Sequence, residues 1–228
     1  MKLTTTIIGA LTTVAALAAA PCACAQQNPT WTLKLPEPRH EGAMSLEAAL
    51  WARHSTRAMS HDSLGLGEVG QLLWAAQGVN RSGGHRTTPS AMAMYPLETY
   101  LVASRVRGVP PGVYHYRPAS HDLELVAAGD KLPDLVSRAA HASWIGDAAA
   151  VVVFAAAYDR VEGRFGAHTE TFVGIEAGAA TQDVYLEAAE LGLGTTYVGS
   201  AQDSALTAVA GLPTGLRPVG IMPVGRPR

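Results

Sequence analysis

Apolar residues recur at helical spacing through Leu46, Ala49 and Leu50, behind Ser45, whose hydroxyl can cap a helix. That pattern ends at Arg53-His54-Ser55-Thr56-Arg57, where two guanidiniums, an imidazole and two hydroxyls crowd into one turn. Val69, Leu72, Leu73 and Ala76 repeat the same period and predict a second helix, closed by Gly78. After a glycine-rich loop, "LETYLVASRV" reads as a strand, and "GVYHY" and "LELVAAG" as a hairpin around "RPASHD". Leu132, Leu135, Val136 and Ala139 predict another helix, and "AAAVVVFAAA" a buried strand without alternation. The longest helical pattern runs from Thr171 to Leu191 and closes at Gly192. "TTYVG" then reads as a short strand, "SALTAVAGL" as a short helix and "RPVGIMPVG" as a final strand. Residues 26–44 are punctuated by proline and predict an extended arm. The result is one mixed α and β domain over residues 45–228, without internal repeat or linker.

Composition adds two constraints. With 48% hydrophobic and 16% charged residues among 228, the chain can bury an ordinary single core. A net charge of −2 lacks the basic excess that nucleic-acid binders use, so no nucleic-acid partner is expected. Residues 1–25 read as a secretory signal peptide: Lys2, then "IIGALTTVAALAAA", then the small-x-small sequence Ala23-Cys24-Ala25. The apolar run is shorter than the roughly 20 residues a membrane span requires. Cleavage after Ala25 predicts a periplasmic or secreted protein that has lost both cysteines, Cys22 and Cys24, and with them any thiolate chemistry.

Several familiar chemistries fail on context. Gly65-Leu66-Gly67-Glu68-Val69-Gly70 matches the dinucleotide fingerprint literally, but no strand is expected to lead into it, so its glycines read as the turn opening a helix. The eight histidines show no paired spacing for a metal. "NRSGG" lacks the glycine that a nucleophile elbow places two residues before the serine, and no Walker sequence occurs.

Four stretches remain. "RHSTR" offers planar guanidinium forks and a hydroxyl suited to a phosphate, although arginines at a helix end also offset the macrodipole. "TTPSAMAMYPLETYLVA" makes a rigid turn of small residues before a strand. "GIEAGAATQDVYLEAAELGLGTTYVGS" places Gly174 and Gly178 four apart on a helix face without bulk. "PVGRPR" ends the sequence with Arg226 and Arg228. In this order the four strings resemble the nitroreductase family of FMN-dependent oxidoreductases. The resemblance is closest to the branch containing the azoline (thiazole/oxazole) dehydrogenases, through "LLWAAQGVNR", "PSAMAMYPLETYLV", "GVYHYRP" and "EAGAATQDVYLEAAELGLG", and it spans roughly residues 45–228.

The resemblance implies an α+β fold with a central, mainly antiparallel sheet flanked by helices, in an intimate homodimer holding two FMN molecules at its interface. Arg53, His54, Ser55 and Arg57 would form the main FMN anchor. Arg53 and Ser55 would meet the phosphate, and Arg57 would lie towards the pyrimidine edge as an electrostatic stabiliser. Arg226 and Arg228 would add phosphate contacts. Pro89, Ser90 and Ala91 of the partner subunit would face the isoalloxazine, and the Val198–Gly199 backbone would face N5, with Gln77 and Gln182 as secondary candidates. The implied reaction is ping-pong electron transfer from a reduced donor such as NAD(P)H to a nitro, quinone or similar small molecule; the alternative is a flavin carrier without turnover. Azoline dehydrogenases carry a Lys-Tyr pair where this chain has Arg164-Phe165. Arginine stays protonated and phenylalanine has no hydroxyl, so neither serves as a general base, which argues against azoline oxidation.

Overall fold

The computed structural model describes residues 31–228. The expected signal peptide, with Cys22 and Cys24, lies outside the described residues. In chain order the elements are β1 (Thr32–Lys34), α1 (Leu46–Ala52), β2 (Leu64–Gly65), α2 (Leu66–Gln77), β3 (Leu97–Ala103), β4 (Val106–Arg107), β5 (Gly112–Arg117), β6 (Asp122–Ala128), α3 (Leu132–Asp134), β7 (Ala150–Ala157), α4 (Asp159–Phe165), α5 (Thr169–Glu190), β8 (Gly194–Thr195), α6 (Asp203–Ala210) and β9 (Leu216–Gly225). Seven strands form one sheet in the order β1-β6-β5-β3-β7-β9-β8, every neighbouring pair antiparallel. The fold is thus the α+β arrangement expected.

The central strand explains its own sequence. All eight residues of β7 are buried, because alternate side chains enter different cores. Val152 and Phe154 pack with α2 and α5 on one face, beside Leu101, Tyr114, Leu123 and Met222. Val151 and Val153 face the other way, into Tyr100, Leu135, Ile145, Leu206 and Ile221. Burial on both sides removes the alternation that marks a half-exposed strand. On α5, Val173, Ala177, Ala180, Val184 and Ala188 form the stripe turned to the sheet.

Four boundaries differ from the sequence reading. The arm is not merely extended: Thr32–Lys34 pairs with β6 at the sheet edge and Leu35 is 2% exposed. His121 locks it, its Nε2 lying 2.9 Å from Pro36 O and its Nδ1 2.9 Å from the Tyr116 hydroxyl. The helix through Leu135 begins as α3 but winds as a π-helix over Leu135–Ala140, closed by the His141 N–H on Val136 O. The "TTYVG" strand stops after Thr195, since the Thr196 hydroxyl turns to Thr56 O, and only Val198 regains a bridge, to Ile221. Finally, a strand does precede the GxGxxG helix: β2 pairs in parallel with β4. Gly65 is the N-cap of α2, and Glu68 folds back to accept from its N–H at 2.6 Å. The helix N-terminus is therefore occupied by a carboxylate, which excludes a pyrophosphate there on physical grounds.

Candidate functional site

The turn after α1 is bound to the sheet rather than frayed. Ser45 Oγ caps the helix by accepting from Ala48 N–H, and the Arg53 N–H closes it on Ala49 O at 2.9 Å. Beyond Arg53 the chain extends, and Ser55 pairs in parallel with Thr195. Thr56 N–H donates to Thr195 O at 2.9 Å, and the Thr196 hydroxyl donates to Thr56 O at 2.8 Å. The approach is so close that a Cβ on Gly194 would lie 2.6 Å from Thr56 Cγ2. Docking on the β8 edge orients each side chain. The half-buried Arg53 guanidinium sits 5.1 Å over the Tyr185 ring of α5, and that of Arg57 5.8 Å over Trp144. The Tyr185 hydroxyl accepts from Tyr197 N–H at 2.8 Å and lies 3.0 Å from Ser55 Oγ. His54 is exposed, with Nδ1 2.9 Å from Ala52 O. A groove of about 180 Å³ opens here between Arg53, Thr56, Tyr185, Ala189, Gly192 and Pro227. No acidic residue lines it, so its chemistry is that of an anion seat.

The C-terminal segment reaches the same place. Ser60 N–H donates to Arg226 O at 2.8 Å, Arg228 N–H donates to Ala58 O at 3.1 Å, and Met59 bridges Pro227. Pro227 lines the groove, whereas its neighbours do not: Arg226 pairs with Glu68 at 2.7 Å and Arg228 with Asp147 at 2.9 Å. The two expected phosphate arginines are thus brought to the turn by their backbone while their guanidiniums engage carboxylates.

Val198 and Gly199 share the edge that holds Ser55. Val198 exchanges hydrogen bonds with Ile221 at 2.8 and 3.0 Å, and Gly199 is exposed beside the Tyr197 ring. Gly220 must lack a side chain because a Cβ there would lie 2.5 Å from that ring.

Pro89, Ser90 and Ala91 belong to a different wall. Thr88 is buried, its hydroxyl 2.7 Å from Ala76 O and 2.9 Å from Asp183 Oδ2. The hydroxyl has one proton to share between these two acceptors; burial pushes the Asp183 carboxyl up to about 6, against the lowering effect of the Thr88 bond. Ser90 Oγ accepts from Tyr95 N–H at 2.8 Å. Between them the backbone is strained: Met92, Ala93 and Tyr95 hold φ of 53, 54 and 46°. Arg86 braces the loop, with its guanidinium 4.6 Å over the Tyr95 ring and Nη1 donating to Gln77 Oε1 at 2.8 Å. Gln77 is fully buried, with Nε2 unpartnered, and Gln182 is half-buried on α5. Asp183 and Tyr185 are two residues apart on a helix, about 200° around its axis. The Ser90 loop and the arginine turn therefore pack on different faces of α5, and one copy does not bring them into one cavity.

Tyr185, Trp144 and Thr195 escaped the sequence reading. Tyr185 left one signal, a lone aromatic with a hydroxyl among the alanines of "DVYLEAAE".

A mainly antiparallel sheet flanked by helices, with a cationic, aromatic-backed turn at its edge, defines an α+β class of protein, and the comparisons identify the family. The nitroreductase family profile matches residues 50–226, and the chain belongs to that family. It is 37% identical over 183 residues to a Methanocaldococcus jannaschii protein provisionally named a nitroreductase, covering 80% of this chain and 91% of that one. A crystal structure from Ralstonia eutropha JMP134, described in the same provisional terms, is 34% identical with a TM-score of 0.76, over 86% of this chain and 90% of that one. A chain of the E. coli microcin synthetase complex with truncated pro-microcin bound shares the fold, at 20% identity and a TM-score of 0.68, over 94% of this chain and 85% of that one. No helix among the described residues is long and apolar enough to cross a membrane, and no group of three potential metal ligands occurs among them.

Proposed function

We propose that this protein is an FMN-dependent oxidoreductase that works as a homodimer, passing electrons from a reduced donor such as NAD(P)H to a nitro, quinone or similar small-molecule acceptor. The observation that carries the reading is the pair Arg53 and Arg57: both guanidiniums lie over aromatic rings, neither has a carboxylate partner among the described residues, and Ser55 stands between them. That donor set fits a phosphate monoester beside an electron-rich ring edge.

Bound FMN supplies hydride acceptance and donation at its N5, so no protein nucleophile is required. Arg53 and Ser55 hold the phosphate. Tyr185 keeps both in place, presenting its ring to Arg53 and its hydroxyl to Ser55. Arg57 would supply positive charge to stabilise a flavin ring held there. The Val198–Gly199 backbone offers amides along the same edge. For Arg226 or Arg228 to add phosphate contacts, its guanidinium must exchange Glu68 or Asp147 for the anion.

A second copy is the natural complement of the surfaces left bare. Trp51 is 92% exposed and Leu46 61%, and nothing lies within 4 Å of a Cβ built on Gly174 or Gly178. Pairing there would bring the Pro89–Ala91 loop of one copy to the turn of the other. Azoline oxidation is not supported: Phe165 packs on Phe172 with centroids 4.3 Å apart, and Arg164 Nε faces Met92 Sδ at 3.2 Å, neither a proton acceptor. We further propose export, with the mature chain beginning at Gln26.

Colour and reactivity test the reading together. Purified protein should be yellow, bleach with NADPH or NADH under anaerobic conditions, and recolour with a nitroaromatic. Yellow protein indifferent to both reductants would instead establish the carrier alternative. Arg53→Ala should lose bound flavin in either case, and stoichiometric FMN in that variant would refute the anchor.

A further inference from the structure

Away from the arginine turn, the sheet face that packs against α6 opens into a cavity of about 490 Å³, large enough for a small molecule. Its floor is built by cross-strand neighbours. Tyr100 of β3 stands opposite His115 of β5, and their rings stack at 4.7 Å and 26°. Glu98, two residues from Tyr100 on the same face, accepts from Arg160 at 2.7 Å and lies 3.0 Å from His115 Nε2. Burial pushes the Glu98 carboxyl up, but the bonds from His115 and Arg160 outweigh it and hold the group below its usual value. Arg160 is fixed on its other side by the Tyr95 carbonyl. The opposite wall is apolar, from Ala157, Pro213 and Leu216.

Two polar groups here have no side-chain hydrogen-bond or ion-pair partner among the described residues. Tyr100 is 3% exposed, yet its hydroxyl has no hydrogen-bond partner among the described residues and borders the cavity. Burial, reinforced by Glu98 and Glu124, pushes that phenol up to about 12, so it remains a neutral donor. The hydroxyl oxygen is not among the buried atoms left without a partner, so it reaches the cavity, where a ligand acceptor takes the place of water. Asp159, at the rim, is a carboxylate with no ion pair among the described residues. The cavity therefore offers a donor pole at Tyr100 and the remaining guanidinium hydrogens of Arg160, an acceptor pole at Asp159, and a flat aromatic surface where His115 is 26% exposed.

From this arrangement we propose a second ligand site, distinct from the arginine turn, for a small zwitterion with a flat apolar body, the class of the aromatic amino acids. Its carboxylate meets Tyr100 and Arg160, its amine meets Asp159, and its ring lies against His115. The proposal does not depend on flavin, because no groove residue of the arginine turn borders this cavity.

Calorimetric titration of the purified full chain with three probes tests it: L-phenylalanine, 3-phenylpropionate lacking the amine, and 2-phenylethylamine lacking the carboxylate. L-phenylalanine should bind at about 1 mM or tighter, with each truncated probe at least tenfold weaker. Tyr100→Phe keeps the ring and should weaken L-phenylalanine about tenfold or more, the value of one hydrogen bond to a charged group. Asp159→Asn, on the exposed rim, should weaken it without altering the fold even where Tyr100→Phe disturbs packing. Absence of heat with all three probes, equal binding of all three, or binding unchanged in Asp159→Asn would overturn the proposal. Each readout is independent of flavin content, so failure here leaves the oxidoreductase reading to its own test.

Discussion

Replacing Gly194 by alanine tests whether the arginine turn is positioned by the sheet edge. The new methyl would meet Thr56 Cγ2 at 2.6 Å and Thr56 Cβ at 2.9 Å, where carbon atoms normally approach to about 3.5–4 Å. Thr56 cannot yield freely, since its N–H is tied to Thr195 O at 2.9 Å and its carbonyl accepts from the Thr196 hydroxyl at 2.8 Å. Overpacking of this kind costs about 1–3 kcal/mol, which for a domain of this size lowers Tm by about 2–12 °C. The displacement also carries Ser55 away from the Tyr185 hydroxyl, now 3.0 Å distant. Loss of one charge-assisted hydrogen bond at a phosphate is worth about 1.5–3 kcal/mol, or roughly ten- to a hundredfold in flavin affinity. Thermal melts and the flavin-to-protein ratio after dialysis measure both effects. Thr56→Ser deletes the nearer colliding atom and should restore part of each loss in the double variant, a coupling expected of touching residues. Gly194→Ala with unchanged Tm and flavin content would refute the argument that this contact sets the turn.

Other outcomes follow from the buried acids and the bare surfaces. Burial, with Glu190 beside it, pushes Glu187 up to about 7, and burial pushes Asp183 up to about 6, whereas both ionise near pH 4 when unfolded. The unfolded chain then binds fewer protons across that window, so these groups lower stability as pH rises from about 4 to 7 and add no further change above it. Glu187→Gln should therefore raise Tm relative to the parent more at pH 8 than at pH 5; an equal difference at both would contradict the burial argument. Gly178→Leu should leave the chain folded, because nothing lies within 4 Å of its Cβ, yet shift the protein to monomers in light scattering; a persistent dimer would place the interface elsewhere. N-terminal sequencing of exported material should begin at Gln26, and an intact Met1 would overturn the signal-peptide reading.

The sequence made the architecture legible where one physical cause dominated. Burial on both faces gave β7 its unbroken apolar run, and the 3.6-residue stripe of α5 stood out over six turns, starting two residues earlier than its pattern suggested. Legibility failed where geometry depended on distant partners. The alternation Trp31-Thr32-Leu33-Lys34-Leu35 is too short, and too close to prolines, to announce a strand by itself, and its partner is an edge of β6 about ninety residues on. The "RHSTR" turn was visible as chemistry, but sequence left it poised between a solvated helix end and an anion seat. Its docking on Thr195, with the Tyr185 and Trp144 rings beneath its guanidiniums, shows a turn held to the sheet rather than frayed, which no local pattern announced. The side chains of Arg226 and Arg228 were the least legible: alternation along an extended segment decides which residue faces the groove, and it selects Pro227.

Helix α5 acts as a ruler between two pieces that pack on its different faces within one copy: Asp183 reads the position of Thr88, which leads into the strained loop, and Tyr185 reads that of the turn. An extra residue at either end of the rod would be absorbed as fraying, but one inserted between these two would swing one contact about 100° away from its mark. Length there is fixed by angle, not by distance.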